Sequence, residues 1–151
     1  MKVGFIFECG PDGADVQVCR HLVHKLNPTI EFVPNTLDNK KKLVEDCGPV
    51  AKALLSECEK VIIVWDLYPV WREKGIKPCR HEDRLAIFQS LRAKNVDLKK
   101  VFLVCIQEEL EAWLLADYRA LTSMLEPLKH PHPVGRISRF SNPDRIRNPK
   151  A

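Results

Sequence analysis

No run of apolar residues in this sequence approaches the ~20 that a membrane helix needs, so no membrane partner is expected. The apolar start, Val3-Gly4-Phe5-Ile6-Phe7, is cut short by Glu8, too early for a secretory signal. A cytoplasmic location is the resulting expectation. No Cys-x-x-Cys pair occurs among Cys9, Cys19, Cys47, Cys58, Cys79 and Cys105, which speaks against a structural zinc site. Without a secretory context these cysteines read as free thiols, several of them in apolar surroundings. The chain lacks the Gly-x-x-x-x-Gly-Lys-Ser/Thr loop of P-loop nucleotidases and the Gly-x-Ser-x-Gly elbow of serine hydrolases. Gly10 and Gly13 lack the dinucleotide-binding spacing. Internal repeats and low-complexity segments are absent as well.

What is present fits one globular domain. With 151 residues, 45% apolar and 29% charged, the chain has an ordinary folded composition and enough length for a real core. The net charge of +4 is mild, but it is unevenly placed. From Leu128 to Ala151, Lys129, Arg136, Arg139, Arg145, Arg147 and Lys150 stand against Asp144 alone, a net of +5. This Pro-punctuated tail, residues 127–151, is read as a basic extension to a domain over residues 1–126. A positive segment of this kind suits polyanions; a solvated tail is the alternative.

Hydrophobic patterning alternates between strand and helix. Val3–Phe7 reads as a buried strand, and Cys9–Gly13 as a turn. Ala14–Leu26 has helical spacing, and Thr29–Val33 is a weaker strand. A helix is expected over Asn39–Cys58, with a break or kink at Gly48-Pro49. Val61–Trp65 is the clearest strand. A long loop, Leu67–Arg80, precedes a helix over Glu82–Asn95 with Leu85, Ile87, Phe88 and Leu91 as its apolar set. Val101–Ile106 is a fourth strand, and Glu108–Leu125 a last helix that buries Trp113. Such an order implies right-handed crossovers: an α/β fold, with a four-stranded, mainly parallel sheet and helices on both faces.

In such sheets ligands bind beyond the carboxyl ends of the strands. Three strands end there in acid: Glu8, Asp66, and the run Glu108, Glu109 and Glu111. Converging carboxylates repel each other unless protons or a cation offset the charge, and hard divalent cations take carboxylate oxygens. The physical case is therefore for a metal site at this edge, with Glu8 and Asp66 as its first candidates. A turn or cap role is the alternative for Asp66, and a helix first-turn role for Glu108 and Glu109. His21 and His24 share a helix face but read as surface residues. The loop after Asp66 interleaves Tyr68 and Trp71 with Arg72, Lys74, Lys77 and Arg80. That mixture suits stacking on bases and neutralising phosphates, so Trp71, Arg72, Lys74, Lys77, Arg136 and Arg139 are the candidate nucleic-acid contacts.

Three segments, Phe5-Ile-Phe-Glu8, Val64-Trp65-Asp66-Leu67 and Gln107-Glu-Glu-Leu-Glu-Ala-Trp-Leu-Leu-Ala-Asp117, resemble Toprim-like proteins. The likeness is to domain-of-unknown-function family 4276, related to the Toprim nucleases of the OLD group, and spans most of residues 3–120. It implies a Toprim-like fold and a magnesium-dependent nuclease, with Glu8 as general acid or base and Asp66 as the first acid of an Asp-x-Asp pair. Glu109 or Glu111 would match the later acids, so the set that the resemblance implies is Glu8, Asp66, Glu109 and Glu111 around Mg2+ or Mn2+, with Glu8, Asp66 and Glu111 catalytic. Two departures stand out: Tyr68 replaces the second acid of that pair, and Cys9 stands where relatives have glycine. A non-catalytic module binding nucleic acid or a protein partner, or a homo-oligomer, is the alternative. An association with defence against phage is analogy only.

Overall fold

The computed structural model describes residues 1–68 and 77–107. Its elements run β1 (Lys2–Phe7), α1 (Ala14–Leu26), β2 (Glu31–Thr36), α2 (Lys40–Leu54), β3 (Lys60–Asp66), α3 (Arg80–Ala93), a single 3-10 turn at Leu98–Lys100, and β4 (Val101–Ile106). All four strands pair in parallel, in the order β2-β1-β3-β4. The fold is α/β. These residues form the unit Met1–Ile106; the second unit, Gln107–Ala151, falls outside the described residues but for its first. The helix expected over Glu108–Leu125, Trp113 within it, the boundary at 126 and the tail 127–151 therefore lie outside them too. Among the described residues no helix is long and apolar enough to cross a membrane.

Strand order dictates which face each helix covers. Right-handed crossovers send α1 to one face, as the chain steps from β1 to β2, and send α2 and α3 to the other, as it steps back through β3 to β4. Side chains sort accordingly. Ile6, Val61, Ile63 and Trp65 pack with Leu43, Val44, Cys47, Ala51 and Leu54 of α2 and Ile87 and Leu91 of α3 in one buried cluster. On the opposite face Phe5 stacks with both Phe7 and Phe32, Phe7 lies tilted to Phe32, and the Arg20 guanidinium of α1 lies 5.4 Å from the Phe32 ring centre.

Several boundaries depart from the sequence reading. β2 covers Glu31–Thr36 instead of Thr29–Val33. Pro34 lies inside it, which is tolerated because β2 is an edge strand. α3 starts at Arg80, two residues before Glu82, and Leu85 is exposed, leaving Ile87 and Leu91 as its buried apolar residues. α2 runs without a break through Gly48-Pro49. Pro49 has no amide to give the Glu45 carbonyl. The Ser90 hydroxyl of α3 donates to that carbonyl at 3.0 Å, and the Gly48 amide donates to the Ser90 hydroxyl oxygen at 3.1 Å. Gly48 also permits the approach: a Cβ there would lie 2.2 Å from the Ser90 carbonyl oxygen.

Candidate functional site

The chain leaves β1 toward one side of the sheet and later returns to build β3 on the other side of β1. The connections after β1 and β3 therefore lead to helices on opposite faces, and a crevice opens between them at the carboxyl edge. Glu8 follows the last residue of β1, and Asp66 is the last residue of β3. Topology alone brings these two acids to the crevice. Phe7 pairs with Val64 across the β1/β3 ladder, so Glu8 stands at the height of Trp65 and Asp66.

The electrostatics show how close the groups are. The Glu8 carboxyl is pushed up to about 8, first by burial, then by the negative charges of Asp66 and Asp15; Lys40 and the Asp66 backbone amide pull the other way. Its Oε2 is buried with no hydrogen-bond partner among the described residues. Asp66 is buried too, at 9% exposure. The chain beyond it is pinned on two sides: the Leu67 amide donates to the Ile106 carbonyl at 2.7 Å, and the Lys40 ammonium donates to the Leu67 carbonyl at 2.7 Å.

Lys40 is the residue that sequence reasoning missed. It opens α2 and is 4% exposed. Its Nζ lies 3.8 Å from Asp83 Oδ2 of α3, itself buried, and that oxygen accepts from the Trp65 indole at 3.3 Å. In the sequence, Lys40-Lys41-Lys42 looks like a solvated basic run. The helical stripe of buried α2 residues, Leu43, Val44, Cys47, Ala51 and Leu54, nevertheless reaches Lys40 when stepped back one turn. Asp83 is found in the same way, one turn before Ile87 and two before Leu91.

The donor set suits a hard cation. Magnesium is held by one or two carboxylates with water and substrate phosphates, and Glu8 and Asp66 offer two carboxylates in one crevice. Among the described residues no group of three or more His, Cys, Asp or Glu is arranged to hold a metal. The other expected acids, Glu109 and Glu111, lie outside the described residues, as do Trp71, Arg72, Lys74, Arg136 and Arg139. Lys77 is described and exposed. Tyr68 is 43% exposed.

Thiol chemistry is not favoured at this edge. All six cysteines are free. Burial, then the charge of Asp15, pushes the Cys9 thiol up to about 12 and Cys19 up to about 11; burial likewise raises Cys105 to about 11. Such thiols stay protonated and are poor nucleophiles. Cys105 also feels Lys40, Asp83, Arg80 and Asp66, so these four charges share one neighbourhood at the carboxyl end of β4. Compared with known proteins, the chain matches no family model and no curated sequence, so the Toprim likeness rests on its three segments alone.

Proposed function

We propose that this chain is a divalent-metal-dependent phosphodiesterase acting on nucleic acid. The observation that supports this reading best is the pairing of Glu8 and Asp66 in the crevice between β1 and β3. Two buried carboxylates on neighbouring strand ends repel each other, and such an arrangement destabilises the fold unless it serves a cation or a proton. Asp66 would hold the metal, and Glu8 beside it would handle the proton. Bound there, a divalent ion supplies Lewis-acid stabilisation of the charge that develops on a phosphoryl oxygen. Asp66 is fixed for this by its place in the β3/β4 ladder and by the two bonds that pin Leu67. Glu8, whose carboxyl keeps its proton up to about 8, is suited to give a proton to a leaving oxygen or take one from water near neutral pH.

Cleavage of labelled single- and double-stranded DNA and RNA by the full chain tests this. Mg2+ or Mn2+ should be required, and chelator should abolish cleavage. Asp66→Asn and Glu8→Gln should each lower the rate by about 100-fold or more, the scale of lost general acid–base catalysis. A chain that binds Mn2+ but cleaves none of these substrates overturns the reading.

A second reading has its own support. Tyr68 replaces one acid, and Lys40 already brings a positive charge to the edge. On that reading the domain binds nucleic acid or a protein partner without cutting, and binding is indifferent to chelator.

A further inference from the structure

The same edge carries a feature of opposite sign. Arg80, His81, Arg84, Leu85 and Phe88, on the first three turns of α3, line a cavity of about 230 Å³. No acid lines it. Asp83, one turn into the same helix, accepts from the Trp65 indole at 3.3 Å and lies 3.8 Å from the Lys40 ammonium, which sets the first turn of α3 beside the end of β3. The Arg84 guanidinium lies 5.8 Å from the centre of the Phe88 ring, and that of Arg92 5.9 Å from it, one turn before and one turn after. Guanidinium groups held against an aromatic ring still have N–H edges for a ligand. Among the described residues, the two acids of the first turn of α3 do not cancel this charge. Asp83 is buried against Lys40 and Trp65. Glu82 lies about 120° around the helix from Phe88.

We propose that the cavity bounded by Arg80, His81 and Arg84 is a phosphate subsite that seats the backbone of a nucleic-acid strand beside Glu8 and Asp66. The inference rests on the phosphodiesterase reading and adds to it the surface that captures substrate. Asp66 repels phosphate and a protonated Glu8 does not attract it, so affinity has to come from cations near them and outside the crevice. From Arg80 to Arg92 the arginines run about 18 Å along the helix. A strand of duplex DNA carries one phosphate per ~3.4 Å, so the row is long enough to follow several successive phosphates. A single inorganic phosphate would need only the cavity. Arg80, His81, Arg84 and Arg92 are exposed, so replacing them leaves the core intact.

The test measures binding of a fluorescent single-stranded oligonucleotide to the full chain in chelator, at several salt concentrations, with Arg80→Gln/Arg84→Gln against the parent. Lys94→Gln/Lys99→Gln removes the same charge from exposed positions at and beyond the other end of α3 and serves as control. The first variant should bind about tenfold or more weakly, the scale of two lost charge-assisted contacts. Its slope of log affinity against log salt should fall by about 1.5. The control should change affinity less than twofold. Equal losses in both variants, or no loss in the first, overturn the subsite. So does a mononucleotide whose affinity depends on Arg80 and Arg84 when that of the oligonucleotide does not. Cleavage separates this inference from the reading beneath it. A parent that binds through Arg80 and Arg84 but never cuts sinks the phosphodiesterase and keeps the subsite. A variant that cuts with unchanged KM sinks the subsite and keeps the phosphodiesterase.

Discussion

Replacing Glu8 by glutamine isolates the electrostatic cost of the crevice. In the unfolded chain this carboxyl titrates near 4.5; in the fold it is pushed up to about 8, first by burial and then by Asp66 and Asp15 against the opposing pull of Lys40. The folded state therefore binds the Glu8 proton more tightly than the unfolded chain does. The stabilisation this gives is fully present below pH 4.5 and is lost as pH rises through about 8. At 1.36 kcal/mol per pKa unit the difference amounts to about 5 kcal/mol. Glutamine keeps the shape of the neutral carboxyl and cannot ionise. Urea denaturation of parent and Glu8→Gln should give similar stabilities at pH 4.5, with the variant more stable by a few kcal/mol at pH 8.5. Asp66→Asn in the parent should move the pH-dependent loss to higher stability at neutral pH, because one source of the upward shift is gone. Parallel pH profiles for parent and Glu8→Gln would refute the reasoning, since Glu8 would then titrate as it does in the unfolded chain.

Lys40→Met should destabilise the fold by about 3–5 kcal/mol, because it leaves a buried carboxylate without the ammonium 3.8 Å away. The attraction at stake is about 4 kcal/mol at an effective dielectric of 20. The double variant Lys40→Met/Asp83→Leu should recover much of that loss, which a double-mutant cycle in urea would measure. Gly48→Ala gains about 1 kcal/mol in helix propensity but sets a Cβ 2.2 Å from the Ser90 carbonyl oxygen. The clash wins, and a net loss of about 1–3 kcal/mol in thermal or urea unfolding is expected. Cys9, Cys19 and Cys105 should resist alkylation by iodoacetamide at pH 8 in the folded chain and react once it is denatured, as followed by mass spectrometry.

The strands that carry Glu8 and Asp66 were legible because each is short, apolar and rich in β-branched or aromatic residues, and α1 kept its bounds because Asn27-Pro28 closes it. The sequence ends β2 too early because its second half opens on Pro34-Asn35, two residues depleted in strands; its place is set by pairing with β1. Gly48-Pro49 reads as a kink in any isolated sequence, since the compensating hydroxyl lies in another helix. The acids at the strand ends needed only topology to be found. Lys40 and Asp83 needed more, because a charged residue on an apolar stripe reads as the end of the stripe. Only the packing of α2 on α3 shows that both charges continue it inward and meet.

The hydroxyl that Ser90 lends to the Glu45 carbonyl also bears on the order in which the domain assembles. The donor comes 45 residues after the acceptor. During synthesis β1, α1, β2 and α2 leave the ribosome before the residue that completes α2 exists. Until α3 arrives, the turn around Pro49 has to direct its open carbonyl to water, and Leu43, Cys47 and Ala51 have no helix beside them. The first 55 residues should therefore form no persistent structure as a separate fragment. Helix α2 and helix α3 should instead gain protection from hydrogen exchange together, as one cooperative unit.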